Sequence, residues 1–331
     1  MKVIKPQVGP KNVPDQDHLI IGVCQMAPIF LNRQATLDKA IDQIELAAKE
    51  GCELITFGEA LVPGYPFWLA LTDAARFNDD KQKAIHSLYL EQGVTIERGD
   101  LADVQAAAKR NKIAIYLGIM ERALDRGGHT LYCSLVYIDN QGQIASVHRK
   151  LHPTYEERLA WGSGDGHGLR THSLGAFTLG GLNCFENWMP LSRAALYAQG
   201  ENLHIGVWPG GLHNTYDLTQ VLAKEGRSYV VACSGLMRKS DCPADMPSLE
   251  EILDNSGEFM ANGGSCIANP DGTWLIEPVI EEEALLVAEI DHAKVRQERQ
   301  NFDLAGHYSR PDVTRLVVNR QRQGLATFED E

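Results

Sequence analysis

Four side chains of chemically active types stand where predicted strands end: Glu59, Lys150, Glu157 and Cys184. A cysteine attacks as a thiolate, and a nearby cation or the start of a helix lowers the pKa of its thiol. Cys184 ends the apolar strand FTLGGLNC and precedes a helix that begins near Pro190. The sequence therefore predicts nucleophilic catalysis by Cys184, with the lysine supplying positive charge and the glutamates moving protons.

Each of these residues taken alone has an ordinary structural explanation. A single cysteine is usually a small buried apolar residue, and an isolated glutamate or lysine after a strand usually lies in solvent. The combination is more specific, because polar groups at the carboxyl ends of strands point towards the crevice where α/β proteins bind ligands. The remaining cysteines lie in apolar strands, beside a helix end or in a loop, and we expect them to be structural: Cys24, Cys52, Cys133, Cys233, Cys242 and Cys266.

The element pattern that positions Glu59 is clear in the first sixty residues. The apolar run IIGVCQM predicts a strand, and a helix follows from its cap Asn32 to Glu50, with one apolar stripe. Gly51 ends that helix, and ELITF predicts the next strand. Glu59 therefore lies just past a strand end.

The other reactive residues follow from similar patterns. LYCSLVYID and IASVHRK, separated by NQGQ, predict an antiparallel hairpin that ends at Lys150. The irregular, glycine-rich segment 151–168 is a candidate wall of a site. Alternating strands and helices over the rest of the chain predict one α/β domain with two sheets flanked by helices. Further helices are predicted at 80–92, 100–110 and 215–229.

Composition and charge restrict the partners. The chain has 331 residues and a formal net charge of −13, which disfavours nucleic acid and favours a small uncharged partner. Seven scattered cysteines without ligand spacing indicate a reducing compartment, so we expect a cytoplasmic protein without metal or other cofactor. The polar N-terminus lacks a signal sequence, and no apolar run is long enough to span a membrane.

Three segments differ in character. Residues 1–18 form a polar N-terminal extension, residues 19–293 hold the catalytic domain, and residues 294–331 form a C-terminal arm. The arm is basic and is predicted to make a subunit contact. Its basic residues are Lys294, Arg296, Arg299, Arg310, Arg315, Arg320 and Arg322.

Over roughly residues 19 to 315 the chain resembles the nitrilase superfamily, and specifically its nitrilase branch. The resemblance is carried by FGEALVPGYPFW, HRKLHPTYEERLAWGSGDG, GGLNCFENWMPLSRAALYAQGENLHIGVWPG and FDLAGHYSRPD, in that order. Ordered blocks are far more specific than one short motif. The sequence departs from the family pattern at Phe185, where nitrilases usually have Trp, and at Gly58, where Pro commonly precedes the glutamate.

The resemblance implies a four-layer α-β-β-α sandwich with two central mixed sheets. It also implies hydrolysis of an organic nitrile to a carboxylic acid and ammonia through a thioimidate and a thioester. Cys184 is then the nucleophile, Glu59 the general acid and base, Lys150 the electrostatic stabiliser and Glu157 a second glutamate that positions water. We expect Lys150 to hold a resting thiolate, with one proton shared among these groups. The family also implies a homo-oligomer built from dimers, up to a spiral or filament.

Aromatic residues concentrate in the same blocks. As large pockets are commonly lined by aromatic rings, they are candidate substrate-binding residues, although packing in the core is an equal alternative for each. The candidates are Tyr65, Trp161, Phe185, Trp188 and Trp208.

Three alternatives remain open from the sequence. The same cysteine serves amidases and carbamoylases of the superfamily, and a nitrilase that hydrolyses cyanide would use the same site. A protein of another class, a non-catalytic assembly protein, would keep the fold and use the basic arm. The intact set of four reactive residues argues against this last alternative.

Overall fold

The structure is a computed structural model and describes residues 1–6, 17–326 and 329. The strands are β1 (Lys2–Ile4), β2 (His18–Gln25), β3 (Leu54–Phe57), β4 (Ala114–Arg122), β5 (Leu131–Ile138), β6 (Ile144–Arg149), β7 (His172–Leu174), β8 (Phe177–Asn183), β9 (Leu203–Trp208), β10 (Tyr229–Ser234), β11 (Leu236–Arg238), β12 (Phe259–Ala268), β13 (Trp274–Ile280) and β14 (Ala284–Asp291). The α-helices are α1 (Arg33–Lys49), α2 (Trp68–Leu71), α3 (Asp80–Glu91), α4 (Ala102–Asn111), α5 (Pro190–Tyr197), α6 (Leu212–Gly226), α7 (Leu249–Asn255) and α8 (His292–Arg299).

The strands form two mixed sheets. The first has the order β1-β14-β2-β3-β4-β5-β6, and the second has the order β11-β12-β10-β9-β8-β7, with β13 paired to β12. β2, β3 and β4 run parallel, as do β8, β9 and β10, while the hairpin partners run antiparallel. The predicted hairpin is therefore present as β5 and β6 at one edge of the first sheet.

Four apolar clusters of described residues lie between the layers. The cluster between the sheets joins inward residues of the first sheet, such as Ile21 and Tyr116, to those of the second, such as Ile205. A second cluster packs α1 and α4 on the outer face of the first sheet. The outer face of the second sheet is covered by α6 in one cluster and by α5 in another. This arrangement confirms the predicted α-β-β-α sandwich.

Local signals in the sequence explain several element boundaries. Asn32 caps α1 by accepting a hydrogen bond from the backbone N–H of Ala35, as predicted. The apolar run VVACSGLM forms two strands, because Gly235 separates β10 from β11, and β11 pairs with β12. The predicted helix 215–229 begins earlier, at Leu212, and ends at Gly226.

Both ends of the described chain pack on the domain. Most of the predicted extension, residues 7–16, lies outside the described residues, but β1 extends the first sheet beside β14. The segment after α8 folds back so that Arg322 pairs with Asp165, with 3.0 Å between the guanidinium and the carboxylate. Residues 327, 328, 330 and 331 of the predicted arm also lie outside the description. Within the described ranges, no helix combines the length and apolar character needed to cross a bilayer.

Candidate active site

Glu59, Lys150 and Cys184 all follow strand ends, but in different sheets. Glu59 follows β3 and Lys150 follows β6 in the first sheet, whereas Cys184 follows β8 in the second. Glu157 lies on a short 3-10 helix, Tyr155–Leu159, in the loop after Lys150. All four side chains are buried. The structure therefore brings the four predicted reactive residues together where the two sheets meet.

Lys150 lies at the centre of the charges. Its Nζ donates to Glu59 Oε1 at 2.8 Å and to Glu157 Oε2 at 2.6 Å, and no part of its side chain is exposed. An ammonium has three hydrogens. Among residues 17–326, two of these hydrogens have carboxylate partners, so the third is available to a substrate.

Glu157 is held from three sides. Its Oε2 accepts from Lys150 and from the backbone N–H of Thr154 at 2.7 Å, and its Oε1 accepts from the Tyr65 hydroxyl at 2.7 Å. The bond to Thr154 belongs to a capping box at the start of the 3-10 helix. These contacts fix both oxygens of Glu157 beside Lys150.

Cys184 occupies a strained turn. Its φ is +46°, a left-handed conformation that is unfavourable for a side chain with a Cβ, and it starts the 3-10 helix Cys184–Trp188. Its Sγ, one oxygen of Glu59 and one oxygen of Glu157 lie within 4.8 Å of one another. The turn thus directs the sulfur towards both carboxylates.

The environment of Cys184 disfavours the charged form of its sulfur. Burial, together with Glu59 and Glu157, raises the pKa of the Cys184 thiol well above its usual value, against the lowering effect of Lys150. Burial opposes the charge on Lys150, but Glu59, Cys184 and Glu157 raise the pKa of its ammonium well above the usual value. Burial and the two carboxylates therefore oppose the expected resting thiolate and Lys150 favours it, so the thiolate stays a prediction.

Glu59 is the group placed to take the thiol proton. Burial raises the pKa of Glu59 to about 7, although Lys150 counteracts the rise. Its Oε1 accepts from Lys150 and from the Cys133 thiol at 3.4 Å, whereas its buried Oε2 has no hydrogen-bond partner among the described residues. An unpartnered carboxylate oxygen beside a protonated thiol is suited to proton transfer.

Glu59, Glu157 and Cys184 also offer a set of three atoms that could ligate a metal ion. However, both glutamates already direct an oxygen at the Lys150 ammonium. A metal cation bound by these three atoms would have to share the site with the fixed positive charge of Lys150. The donor set therefore suits the lysine, and the absence of a metal stays a prediction.

The predicted aromatic residues divide into two groups. Tyr65 contacts Glu157, and Trp161 packs edge-on against Tyr65 with its ring 5.9 Å from Lys150 Nζ. Trp208 is buried in the same apolar cluster as Cys184. By contrast, Phe185 and Trp188 are 46% and 54% exposed. In this chain, Tyr65 and Trp161 surround the charged cluster, whereas Phe185 and Trp188 lie on the outer surface.

A small apolar cavity adjoins Glu59 and Tyr65. Its apolar lining comes from the segment after β2, the segment after Glu59 and the start of β11. These lining residues are Met26, Pro28, Leu61, Phe67, Leu236 and Met237. The cavity volume is about 20 Å³, which has room for about one water molecule, so these residues form an apolar wall beside Glu59 and do not enclose a substrate.

Several residues near the site were not predicted. Cys133 was assigned to the core but donates to Glu59, and its Sγ also lies 3.9 Å from Asn183 Oδ1. His148 and Glu186 form a buried pair beside Lys150 and Cys184. The available signal was their spacing, since each lies two residues from a reactive side chain, in HRK and in CFE.

The chain matches known proteins over most of its length. The carbon–nitrogen hydrolase family model matches residues 20–300. Nitrilase 2 from an unknown prokaryotic organism is 34% identical over 94% of this chain and 95% of its own length. An aliphatic nitrilase from Rhodococcus rhodochrous is 34% identical over 90% of this chain and 79% of its own length.

Among solved structures, a mutant of the Nesterenkonia AN1 amidase from the nitrilase superfamily is similar in fold. It is 20% identical, covers 88% of this chain and 97% of its own, and superposes with a TM-score of 0.63. At this identity the likeness concerns the fold alone. The family match and the relatives together show that the chain belongs to the carbon–nitrogen hydrolase family, in its nitrilase branch.

Proposed function

We propose that the protein hydrolyses an organic nitrile to a carboxylic acid and ammonia through a covalent intermediate on Cys184. The observation that carries the proposal is the buried cluster in which Lys150 bridges Glu59 and Glu157 beside Cys184 Sγ. The relatives' names, which include an aliphatic nitrilase, support a nitrile as the substrate class.

The first half of the reaction forms a thioimidate. Ionised Glu59 takes the proton from the Cys184 thiol, and the sulfur attacks the nitrile carbon. As the C–N bond order falls, the nitrogen becomes basic and receives the proton from Glu59. General acid and base catalysis of this type contributes about a hundredfold to ten thousandfold in rate. The pKa of Glu59, raised to about 7, lets this carboxyl act in both directions near neutrality.

Lys150 stabilises the charge that develops during attack. Its two hydrogen bonds to carboxylates fix Nζ, and the third N–H is directed to the substrate nitrogen. A donor held in place before the reaction costs little reorganisation, which makes such electrostatic contributions large. Because burial excludes water, the interaction is stronger than it would be in solvent.

The second half releases both products. Water adds to the thioimidate, ammonia leaves, and the resulting thioester is hydrolysed by a second water to the acid and the free thiol. Glu157, with both oxygens fixed by hydrogen bonds, positions the water. If the tetrahedral intermediate expels the sulfur before ammonia, an amide leaves instead.

Intact-mass analysis tests the covalent step. Wild-type protein quenched during turnover of a panel of aliphatic and aromatic nitriles is expected to carry one acyl or imidoyl adduct, and Cys184→Ala to carry none and to release no ammonia. Cys242→Ala is the matched control, because Cys242 is free, half-buried and outside the charged cluster, so this variant keeps full turnover. Turnover by Cys184→Ala, or no adduct from any nitrile, contradicts the proposal.

The same assay separates the related activities. Ammonia from nitriles but not from the corresponding amides supports a nitrilase, whereas ammonia from amides alone shows an amidase or carbamoylase. Ammonia from cyanide alone shows a cyanide-hydrolysing enzyme. Gly58 departs from the family pattern next to Glu59 and lines the apolar cavity, so it is the first position to exchange if the substrate range is unusual.

We propose further that the protein is a cytoplasmic homo-oligomer built from dimers, extending to a spiral or filament. All seven cysteines are free, as a reducing compartment would keep them. Exposed apolar side chains follow Cys184 along the chain, and such clusters are typical of subunit contacts: Phe185, Trp188, Met189 and Leu191. Size measurement in solution, with electron microscopy of any large species, tests the assembly.

A further inference from the structure

Glu186 lies two residues after Cys184 and faces the protein interior. Its side chain is completely buried on the 3-10 helix that Cys184 begins. One oxygen, Oε2, accepts from the backbone N–H of Asn183 at 2.9 Å, which closes a capping box around the nucleophile. Glu186 thereby holds the residue immediately before Cys184.

The other oxygen of Glu186 reaches the opposite sheet. Oε1 accepts from the backbone N–H of Leu151 at 2.7 Å, and Leu151 immediately follows Lys150. β6, which leads to Lys150, belongs to the first sheet, whereas β8, which leads to Cys184, belongs to the second. A single carboxylate therefore joins the backbone beside the ammonium to the backbone beside the sulfur.

His148 keeps this carboxylate charged and oriented. Its Nε2 lies 3.0 and 3.1 Å from the two oxygens of Glu186 and donates to them. Burial alone would raise the pKa of Glu186, but His148 and the two backbone N–H groups bring that pKa below its usual value. Glu186 is thus an anion with all its partners fixed, which makes it a rigid bridge.

We propose that Glu186 is a positioning residue that sets the separation of Cys184 Sγ and Lys150 Nζ. The inference rests on the proposed function of that site. Cys184 has a left-handed backbone and would relax if its turn were released. A displacement of about 1 Å from reacting geometry costs about a hundredfold in rate. Glu186 acts through the two backbones and does not contact Sγ or Nζ.

Glu186→Gln tests the bridge. A glutamine amide has one oxygen and one nitrogen, so its nitrogen would face the N–H of either Asn183 or Leu151 and one contact would be lost. The expected result is a fall in kcat of about a hundredfold with little change in KM. Asp100→Asn is the matched control, because Asp100 also accepts a backbone N–H and pairs with an arginine, but in the loop before α4, away from the site.

The pH dependence of Cys184 alkylation provides a readout that general destabilisation does not move. Glu59, Lys150 and Glu157 face Cys184, and of these Lys150 favours the thiolate. If the bridge is broken, Lys150 stabilises the thiolate less. The pH midpoint for modification of Cys184 by iodoacetamide is then expected to rise by about one pH unit. Peptide mass spectrometry measures this modification. Asp100→Asn keeps the wild-type midpoint.

Glu186→Asp serves if the glutamine variant does not fold. Aspartate keeps the charge but is shorter than glutamate. We therefore expect a smaller fall in kcat and a smaller rise in the alkylation midpoint. Folded Glu186→Gln or Glu186→Asp with wild-type kcat and wild-type alkylation midpoint overturns the inference. If the wild-type protein hydrolyses no nitrile, the proposed function fails separately, and the alkylation midpoint still decides the role of Glu186.

Discussion

Glu59 shows how a buried charge is adapted to its task. Water is excluded from its carboxyl, so burial raises its pKa, while Lys150 prevents the rise from being larger. A carboxyl that titrates near neutrality can accept a proton from a thiol and then return it to nitrogen. The same property makes the folded state sensitive to pH, because an exposed glutamate in the unfolded chain titrates much lower.

We predict that Glu59→Gln abolishes turnover and removes a fall in stability with rising pH. In the wild type the folded carboxyl keeps its proton between pH 4.5 and about 7, whereas the unfolded chain releases it. The stabilisation is therefore complete below pH 4.5 and lost as the pH rises through about 7. One such group changes the free energy of unfolding by up to about 1.4 kcal/mol per pH unit.

Urea unfolding at pH 5 and pH 8 measures this effect. The wild type should lose free energy of unfolding between pH 5 and pH 8, and Glu59→Gln should not. The stability of the variant relative to the wild type should therefore rise with pH. Glu91→Gln, at an exposed position on α3, should retain the wild-type profile. An unchanged profile in Glu59→Gln shows that the carboxyl is ionised throughout. For turnover, wild-type activity should decline as the pH falls below about 7.

The turn between β8 and α5 is the element on which the nucleophile depends. β8 ends at Asn183, and Cys184 must reverse the direction of the chain at once, which it does with a φ of +46°. A side chain with a Cβ in this conformation costs roughly 1–2 kcal/mol relative to the right-handed one. The fold bears this strain because the capping box and the buried neighbours of Cys184 fix the turn.

We predict that Cys184→Gly is more stable than Cys184→Ala by about 1 kcal/mol, although both are inactive. Glycine adopts the left-handed conformation without steric penalty, whereas alanine keeps the Cβ and therefore the strain. Thermal unfolding of the two variants measures the difference. The same pair at Cys266, in the middle of β12, should show the opposite order, with alanine more stable. The opposite order at Cys184 as well would show that the turn is unstrained.

The limits of the sequence are visible at this same element. Strand ends, the helix after Pro190 and the ordered family blocks were sufficient to predict the fold and to group Glu59, Lys150, Glu157 and Cys184. The bridge from Glu186 to Leu151 was not predictable, because it spans 35 residues and two sheets. The direction of the pKa shift at Cys184 was not predictable for a similar reason, since the balance between burial and charge depends on distances. Phe185 and Trp188 were predicted to bind substrate because their neighbours are catalytic. The 3-10 turn that holds them leaves both side chains exposed, and their role in binding stays a prediction.

At the scale of the whole molecule, the C-terminal arm supports the loop that follows Lys150. Val318 packs on an apolar cluster that includes Leu169, and Asp165 accepts from Arg322 and from the backbone N–H of Gln323. The loop in turn reaches the active site, because Gly168 lies directly against the backbone of His148. A Cβ at residue 168 would approach His148 Cα to 2.2 Å, so this contact leaves no space for a side chain.

Removal of residues 313–331 therefore tests whether the arm contributes to catalysis from a distance. The lost apolar packing and the unpaired Asp165 are expected to lower the free energy of unfolding by about 2 kcal/mol. Turnover should fall by about tenfold, because His148 and the Glu186 bridge lose their support. Removal of residues 327–331 alone leaves all these contacts in place and should behave as the wild type. If the longer truncation changes only the size of the assembly, and per-subunit stability and kcat are unchanged, the arm serves subunit contacts and not the site.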